Sequence, residues 1–143
     1  MVFKSSIHLS SGLILTIIPT IMISVALMGL LFETPSTGIM IGSIIFILIG
    51  STFLWILLDT KYTIKENDLY YCSGPIRGKI DIQSIRKIKH QKGLYNECFL
   101  KPSLDYKGLY IYYNKFDDIY LSPKDQDSFV NYLLKINPKI DLI

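Results

Sequence analysis

SSIHLSSGLILTIIPTIMISVALMGLLF, residues 5–32, is followed after a single acid, Glu33, by TPSTGIMIGSIIFILIGSTFLWILL, residues 34–58. Neither run contains Asp, Glu, Lys or Arg. Within them, 12–32 and 38–58 are apolar segments of about twenty residues, the length a helix needs to cross roughly 30 Å of hydrocarbon. The first run exceeds a usual signal-peptide core, and Lys4 is the only charge ahead of it. No small-x-small cleavage site precedes Glu33, and a second apolar run follows at once. The pattern therefore predicts two retained membrane spans joined as a hairpin.

Working outward, the charges divide the chain in two. Residues 1–58 hold one base, Lys4, and one acid, Glu33, while the other 14 bases and 11 acids lie in 59–143. The expected organisation is an anchor over 1–58 and a soluble domain over 59–143, long enough for one modest core. A net charge of +3 is too small for a dedicated nucleic-acid binder. The loop Glu33–Thr37 has no base, whereas Lys4 precedes the first span and Lys61 and Lys65 follow the second. The positive-inside tendency then puts both termini and the domain at the cytoplasmic face. There Cys72 and Cys98 are expected as free thiols; an external domain would instead permit a disulfide between them.

So short a loop makes the two helices antiparallel neighbours. Pro19 is expected to bend the first, with Thr16 or the neighbouring helix satisfying the freed backbone groups. Gly38 and Gly42 form a small-xxx-small pair that permits close helix approach, either within the hairpin or between two copies as a homodimer. Neither span carries a mid-depth ionisable residue, where a transporter or proton relay places one. The hairpin reads as an anchor.

Beyond Asp59 the period changes to two. Lys61–Lys65 alternates with Tyr62 and Ile64 on one face, Glu66-Asn67-Asp68 is a turn signal, and Leu69–Cys72 returns. Ser73-Gly74-Pro75 ends that strand, and Gly78–Ile82 forms the third. Ile85 and Ile88 break the alternation, which implies a tight turn at Gln83–Ser84 before a strand over Lys87–Gln91. A further strand is expected near Glu97–Leu100, then Gly108–Tyr113 pairing with Asp118–Leu121. Ser122-Pro123-Lys124-Asp125 combines an N-cap hydroxyl, a proline at the first helical position and an acid at the third. The predicted helix runs to about Lys135, burying Phe129, Val130, Leu133 and Ile136, and Asn137-Pro138 stops it. The expected fold is a transmembrane α-hairpin followed by a mainly-β (α+β) barrel or sandwich of six or seven short antiparallel strands, closed by a C-terminal helix.

The run Tyr62-x-Ile64, Leu69-x-Tyr71, Gly74, Ile80-x-Ile82-x-x-Ile85-x-x-Ile88, Leu109-x-Ile111, Leu121-Ser122-Pro123-Lys124-Asp125, Phe129 and Asn137-Pro138 resembles the bacterial PH-like domains of the YyaB-like group. Ser103-Leu104-Asp105 also resembles that group's step before the next strand, although Tyr106-Lys107-Gly108 departs from its usual Arg-Leu. The resemblance covers about 59–140. It implies a pleckstrin-homology-like fold behind a pair of membrane helices and transfers no catalytic residue.

Motifs for chemistry are sparse. His8 and His90 lie far apart, Cys72 and Cys98 form no CxxC, and no glycine-rich phosphate loop is present, so no metal, cofactor or catalytic residue is expected. His90 reads as a partly buried strand residue, and Asp117-Asp118 as turn acids. Two surface features remain: a basic set, Arg77, Lys79, Arg86, Lys87, Lys89 and Lys92, and a tyrosine set expected to face outward, Tyr70, Tyr110, Tyr112 and Tyr120. The first suits anionic lipid headgroups; the second suits a partner protein or the membrane interface. Solubilising charges and cross-strand stiffening are the plain readings of the same residues. The expected function is a non-enzymatic, membrane-anchored binding module for a protein or lipid headgroups. The alternatives are a protective membrane protein against a peptide toxin, by analogy with other small anchored PH-like proteins, or an accessory subunit of a larger membrane complex.

Overall fold

The computed structural model describes residues 1–32, 36–91 and 101–143. Lys92, Cys98 and the strand expected near Glu97–Leu100 lie outside the described residues, as do the first three positions of the interhelical loop. Helix α1 spans Leu9–Phe32 and α2 spans Thr37–Asp59, the latter capped by the Ser36 hydroxyl accepting from the Ile39 amide at 3.4 Å. Both are long and apolar enough to cross a membrane, with a mean hydropathy of 2.4 each, and only 11% of each span is buried. A core helix of a soluble protein would be covered; these leave their apolar surface open, as lipid-facing helices do.

The hairpin packs through Ala26, 2% exposed, and through glycines other than the expected pair. A Cβ at Gly50 would stand 3.0 Å from Ile23 Cγ1 and 3.3 Å from the Pro19 carbonyl, so a larger residue would press on this crossing. A Cβ at Gly42 would meet nothing within 4 Å and one at Gly38 only the Ser36 hydroxyl, so neither position needs glycine for the packing of the hairpin. Near Pro19, Thr16 and Thr20 donate to the Gly12 and Thr16 carbonyls at 2.9 and 2.6 Å.

Two four-stranded sheets follow. The first has the order β1-β2-β3-β4, with β1 Val2–Lys4, β2 Lys61–Lys65, β3 Asp68–Ser73 and β4 Ile76–Asp81, all antiparallel. The second has the order β7-β6-β5-β8, with β5 Ile85–Gln91, β6 Gly108–Tyr113, β7 Asp117–Leu121 and β8 Asp141–Leu142, the last parallel to β5. A 3-10 turn over Ile82–Ser84, capped by Asp81 Oδ1 on the Gln83 amide at 2.9 Å, links the sheets and resets the alternation where the isoleucine spacing required. Helix α3, Gln126–Ile136, closes the end. Phe3, Tyr62, Ile64, Leu69, Ile80, Ile82, Ile88, Leu109, Ile111, Ile119, Leu121, Phe129, Val130 and Leu133 share one core, with Ile136 packed at its margin.

Beside β8, an unexpected short strand parallel to β5, three features depart from the sequence expectation. The first strand comes from residues assigned to the anchor: Val2–Lys4 pairs with Thr63–Lys61 and delivers Phe3 edge-on to Phe129 at 5.1 Å. Residues before α1 and after α2 thus share one sheet, so both ends of the hairpin emerge on the same side. The closing helix begins three residues late. Its N-cap is Asp125, which accepts from the Ser128 amide at 3.0 Å. Ser122 is fully buried, its amide donating to the Tyr62 hydroxyl at 3.1 Å and its hydroxyl bonded to Ser5 and Ser103 at 2.9 and 2.8 Å. The Lys124 amide meanwhile donates to the Lys4 carbonyl at 3.0 Å. A side chain committed to that network cannot cap, and the next competent oxygen, on Asp125, takes over. His90 is exposed rather than partly buried.

Truncating Phe3 empties the space between β1 and α3. Phe3→Ala should lower the stability of the detergent-solubilised chain by about 3–5 kcal/mol, read by chemical denaturation. A change under about 1 kcal/mol would mean that β1 is not part of the core.

Candidate functional site

Only Thr60 lies between α2 and β2, and polar side chains lock that joint. The Thr60 hydroxyl donates to the Ile56 carbonyl at 2.6 Å and meets the Ser73 hydroxyl at 2.9 Å, while the Thr60 carbonyl accepts from the Ser5 amide at 3.2 Å. Gly74, at φ +57°, lies so close to α2 that a Cβ would stand 2.7 Å from Ile56 Cγ1. Asp59 receives Lys61 Nζ at 2.7 Å, Arg77 Nη2 at 3.1 Å and the Cys72 thiol at 3.1 Å. The Arg77 guanidinium also lies 5.6 Å from the centre of the Trp55 ring.

Above this joint, the outer face of the first sheet forms an open groove of about 890 Å³. Because Phe3, Tyr62, Ile64 and Leu69 point inward, the period of two sends their neighbours outward. The register sets Lys4, Lys61, Cys72 and Arg77 in the row nearest α2, and Val2, Thr63, Tyr70 and Lys79 in the next. Lys65 lies one row further, beside Asp68. Asp68 accepts from Lys79 at 3.2 Å and from the Tyr70 hydroxyl at 3.3 Å. The bases of this face, Lys4, Lys61, Lys65, Arg77 and Lys79, outnumber its acids, Asp59, Asp68 and Asp81. Among the described residues no ion pair occupies Lys4 or Lys65. The Asp59 carboxylate beside Lys61 raises the Lys61 pKa, and Asp68 does the same for Lys79, so both stay cationic throughout the physiological range. Burial, and then the hydrogen bond to Asp59, push the Cys72 thiol up.

The expected basic set is therefore split. Arg77 and Lys79 belong to this groove. Lys87 and Lys89 stand on the outer face of the second sheet, opposite Tyr112 and Tyr110. Arg86 sits at a bulge and donates to the Lys115 carbonyl at 2.9 Å, away from both. The tyrosine set is split too. Tyr70 is exposed in the groove, and Tyr112 is half-buried. Tyr110 and Tyr120 do face away from the core, as the alternation requires, yet they are 6% and 0% exposed. Their rings meet edge to face at 5.0 Å, the Tyr120 hydroxyl donates to the Tyr106 carbonyl at 2.7 Å, and Lys101 Nζ lies 5.3 Å from the Tyr120 ring centre. Lys101 and Tyr106, ahead of β6, lie against that face, so these two tyrosines stiffen the sheet and are not exposed.

Sequence reasoning missed Lys4, Lys61 and Lys65 as site residues. The alternation around Tyr62 and Ile64 already placed Lys61 and Lys65 outward; nothing local showed that their face would be flanked by Arg77 and Lys79. Lys4 had no signal, because three residues ahead of an apolar run do not announce a strand.

A meandering sheet, a second sheet and a helix that plugs their open end define a PH-like domain. The chain belongs to the bacterial PH domain family, whose profile matches residues 60–137. It is similar to the uncharacterized protein YyaB of Bacillus subtilis (strain 168), 29% identical over 102 residues that make up 69% of each chain. No solved structure matches it. The family match starts after β1, so the strand supplied by the N-terminus is an addition to the matched region.

The surroundings of Cys72 give a chemical check on the joint. In a Cys98→Ser background, Cys72 should alkylate more slowly at pH 8 than a free thiol, because the thiolate is the nucleophile. Asp59→Asn removes the carboxylate and leaves Lys61 and Arg77 beside the sulfur, so alkylation should accelerate. Equal rates in the two proteins would mean that Asp59 and Cys72 are not in contact.

Proposed function

We propose that this chain is a non-enzymatic, membrane-anchored binding module that engages anionic lipid headgroups through the outer face of its first sheet, at the cytoplasmic side of the membrane. The observation that carries the reading is the register of that face, whose row nearest α2 contains Lys4, Lys61 and Arg77. One residue separates this strand from the end of an apolar helix, so the row stands at headgroup height. Basic residues near an anionic surface contribute up to about 1 kcal/mol each, and Arg and Lys bind phosphate oxygens through charge-assisted hydrogen bonds. Asp59 and Asp68 neutralise part of the face and leave Lys4 and Lys65 without acid partners among the described residues. The bases that flank the two spans, Lys4, Lys61 and Lys65, favour the cytoplasmic side.

Because the N-terminal strand completes the first sheet, the test uses the full chain. Reconstituted into phosphatidylcholine bilayers with spin-labelled phosphatidylglycerol, it should immobilise the anionic lipid more than labelled phosphatidylcholine. The preference should shrink with salt and fall by up to about fivefold for each of Lys4→Gln, Lys61→Gln and Lys65→Gln. Lys87→Gln with Lys89→Gln should leave it unchanged. Equal immobilisation of both lipids at low ionic strength would remove the headgroup reading.

A further inference from the structure

The turn between β3 and β4 descends past the end of α2. Ser73 is tied to Thr60, the residue after the helix, and Gly74 packs on the backbone of Ile56, three residues before its end. At 1.5 Å of rise per residue, Ile56 lies about 4–5 Å inside Asp59 along the helix axis. The 23 residues of α2 extend about 35 Å, only about 5 Å more than the hydrocarbon they cross. Ile56, and Gly74 against it, therefore fall at the boundary between headgroups and acyl chains. From this depth we infer that the β3–β4 turn, residues 73–76, is a prong seated in the lipid interface beside α2, a third point at which the protein meets the bilayer.

The turn is chemically suited to that layer. Pro75 brings no N–H, and the Gly74 carbonyl is already occupied by Arg77 Nε at 3.1 Å. The tip thus offers few bare backbone groups where water is scarce. Pro75 and Ile76 are exposed, Ile76 to 43%, and Trp55, the residue before Ile56, is 46% exposed. Tryptophan is enriched at this level of membrane proteins, and Arg77, stacked on it and paired with Asp59, has the length to keep its charge toward the headgroups. Glycine suits the approach: a Cβ would stand 2.7 Å from Ile56 Cγ1 and 3.3 Å from the Ile56 backbone, and the φ of +57° strains any other residue. Two helices alone leave a domain free to tilt; a third contact fixes the tilt and so the direction in which the groove faces. The inference rests on α1 and α2 crossing a bilayer, and it holds whichever headgroup the groove prefers.

The test reads depth. In the full chain with Cys72→Ser and Cys98→Ser, an environment-sensitive fluorophore is placed at Ile76→Cys or, as a reference, at Phe116→Cys, an 84% exposed position in the β6–β7 turn. Both proteins are reconstituted into phosphatidylcholine vesicles containing shallow spin-labelled lipid. The label at 76 should emit to the blue of that at 116 and lose intensity to the lipid quencher together with Trp55, the chain's single tryptophan. In the unsubstituted chain the Ile76 methyl signals should broaden with lipid-borne spin label and not with a water-soluble one. Quenching of Trp55 with an aqueous spectrum at 76 and unbroadened methyls would overturn the prong while leaving the hairpin in place. Absence of Trp55 quenching would overturn both, whereas a change of headgroup charge should leave the depth at 76 unaltered.

Discussion

The structure depends on a single covalent constraint: only Thr60 separates an apolar helix from the first long strand of a β domain. A link that short cannot let the strand wander, so whatever lies beside Lys61 also lies beside the end of α2. The chain turns this proximity into a joint by spending polar side chains on it. Thr60 satisfies the Ile56 carbonyl and meets Ser73, while Ser5, arriving from the other helix, donates to Thr60 and joins Ser122 and Tyr62. Tyr62 is fully buried, yet its hydroxyl donates to the Pro102 carbonyl at 2.8 Å and accepts from the Ser122 amide. A buried hydroxyl without partners would be costly; with these it ties three distant segments together at one place. Burial raises its pKa, so it stays protonated and able to donate.

That joint explains which parts of the molecule were legible beforehand. The apolar spans, the alternation of β2, β3, β6 and β7, and the apolar face of α3 are local patterns, and each gave its element with bounds close to those observed. Local patterns fail where two local solutions compete and a distant contact chooses. Ser122-Pro123-Lys124-Asp125 contains two competent caps, and the hydroxyl network claims the first, so the helix starts after the second. Val2–Lys4 is a strand only because Tyr62 and Phe129 await Phe3 across some sixty and more residues of chain. Tyr110 and Tyr120 were placed on the correct side of the sheet, but alternation says nothing about what folds over that side.

The same distinction governs the candidate site. Lys61, Thr63 and Lys65 were readable as alternating with the inward Tyr62 and Ile64, while Arg77 fell one residue ahead of the expected third strand and Lys79 within it. Their assembly into one face required the register of β2, β3 and β4, which the tight turns at Glu66-Asn67 and Gly74-Pro75 set. Glu66 and Gly74 both occupy positive φ, at 52° and 57°. The basic residues that looked equivalent in sequence are thereby sorted: Arg77 and Lys79 face the groove beside the end of α2, while Lys87 and Lys89 stand on the other sheet. A count of bases would have pooled them.

Sorting also gives Asp59 a specific place. It stands where the helix ends, the position at which a carboxylate is unfavourable to the helix dipole, yet it gathers Lys61, Arg77 and Cys72 around itself. Three donors on one acid offset that penalty and fix Arg77 between Asp59 and Trp55. Arg77 belongs at once to the groove row and to the turn beside α2. Its side chain reaches Trp55 and the Gly74 carbonyl on one side and Asp59 on the other, so the two surfaces are linked through a single residue.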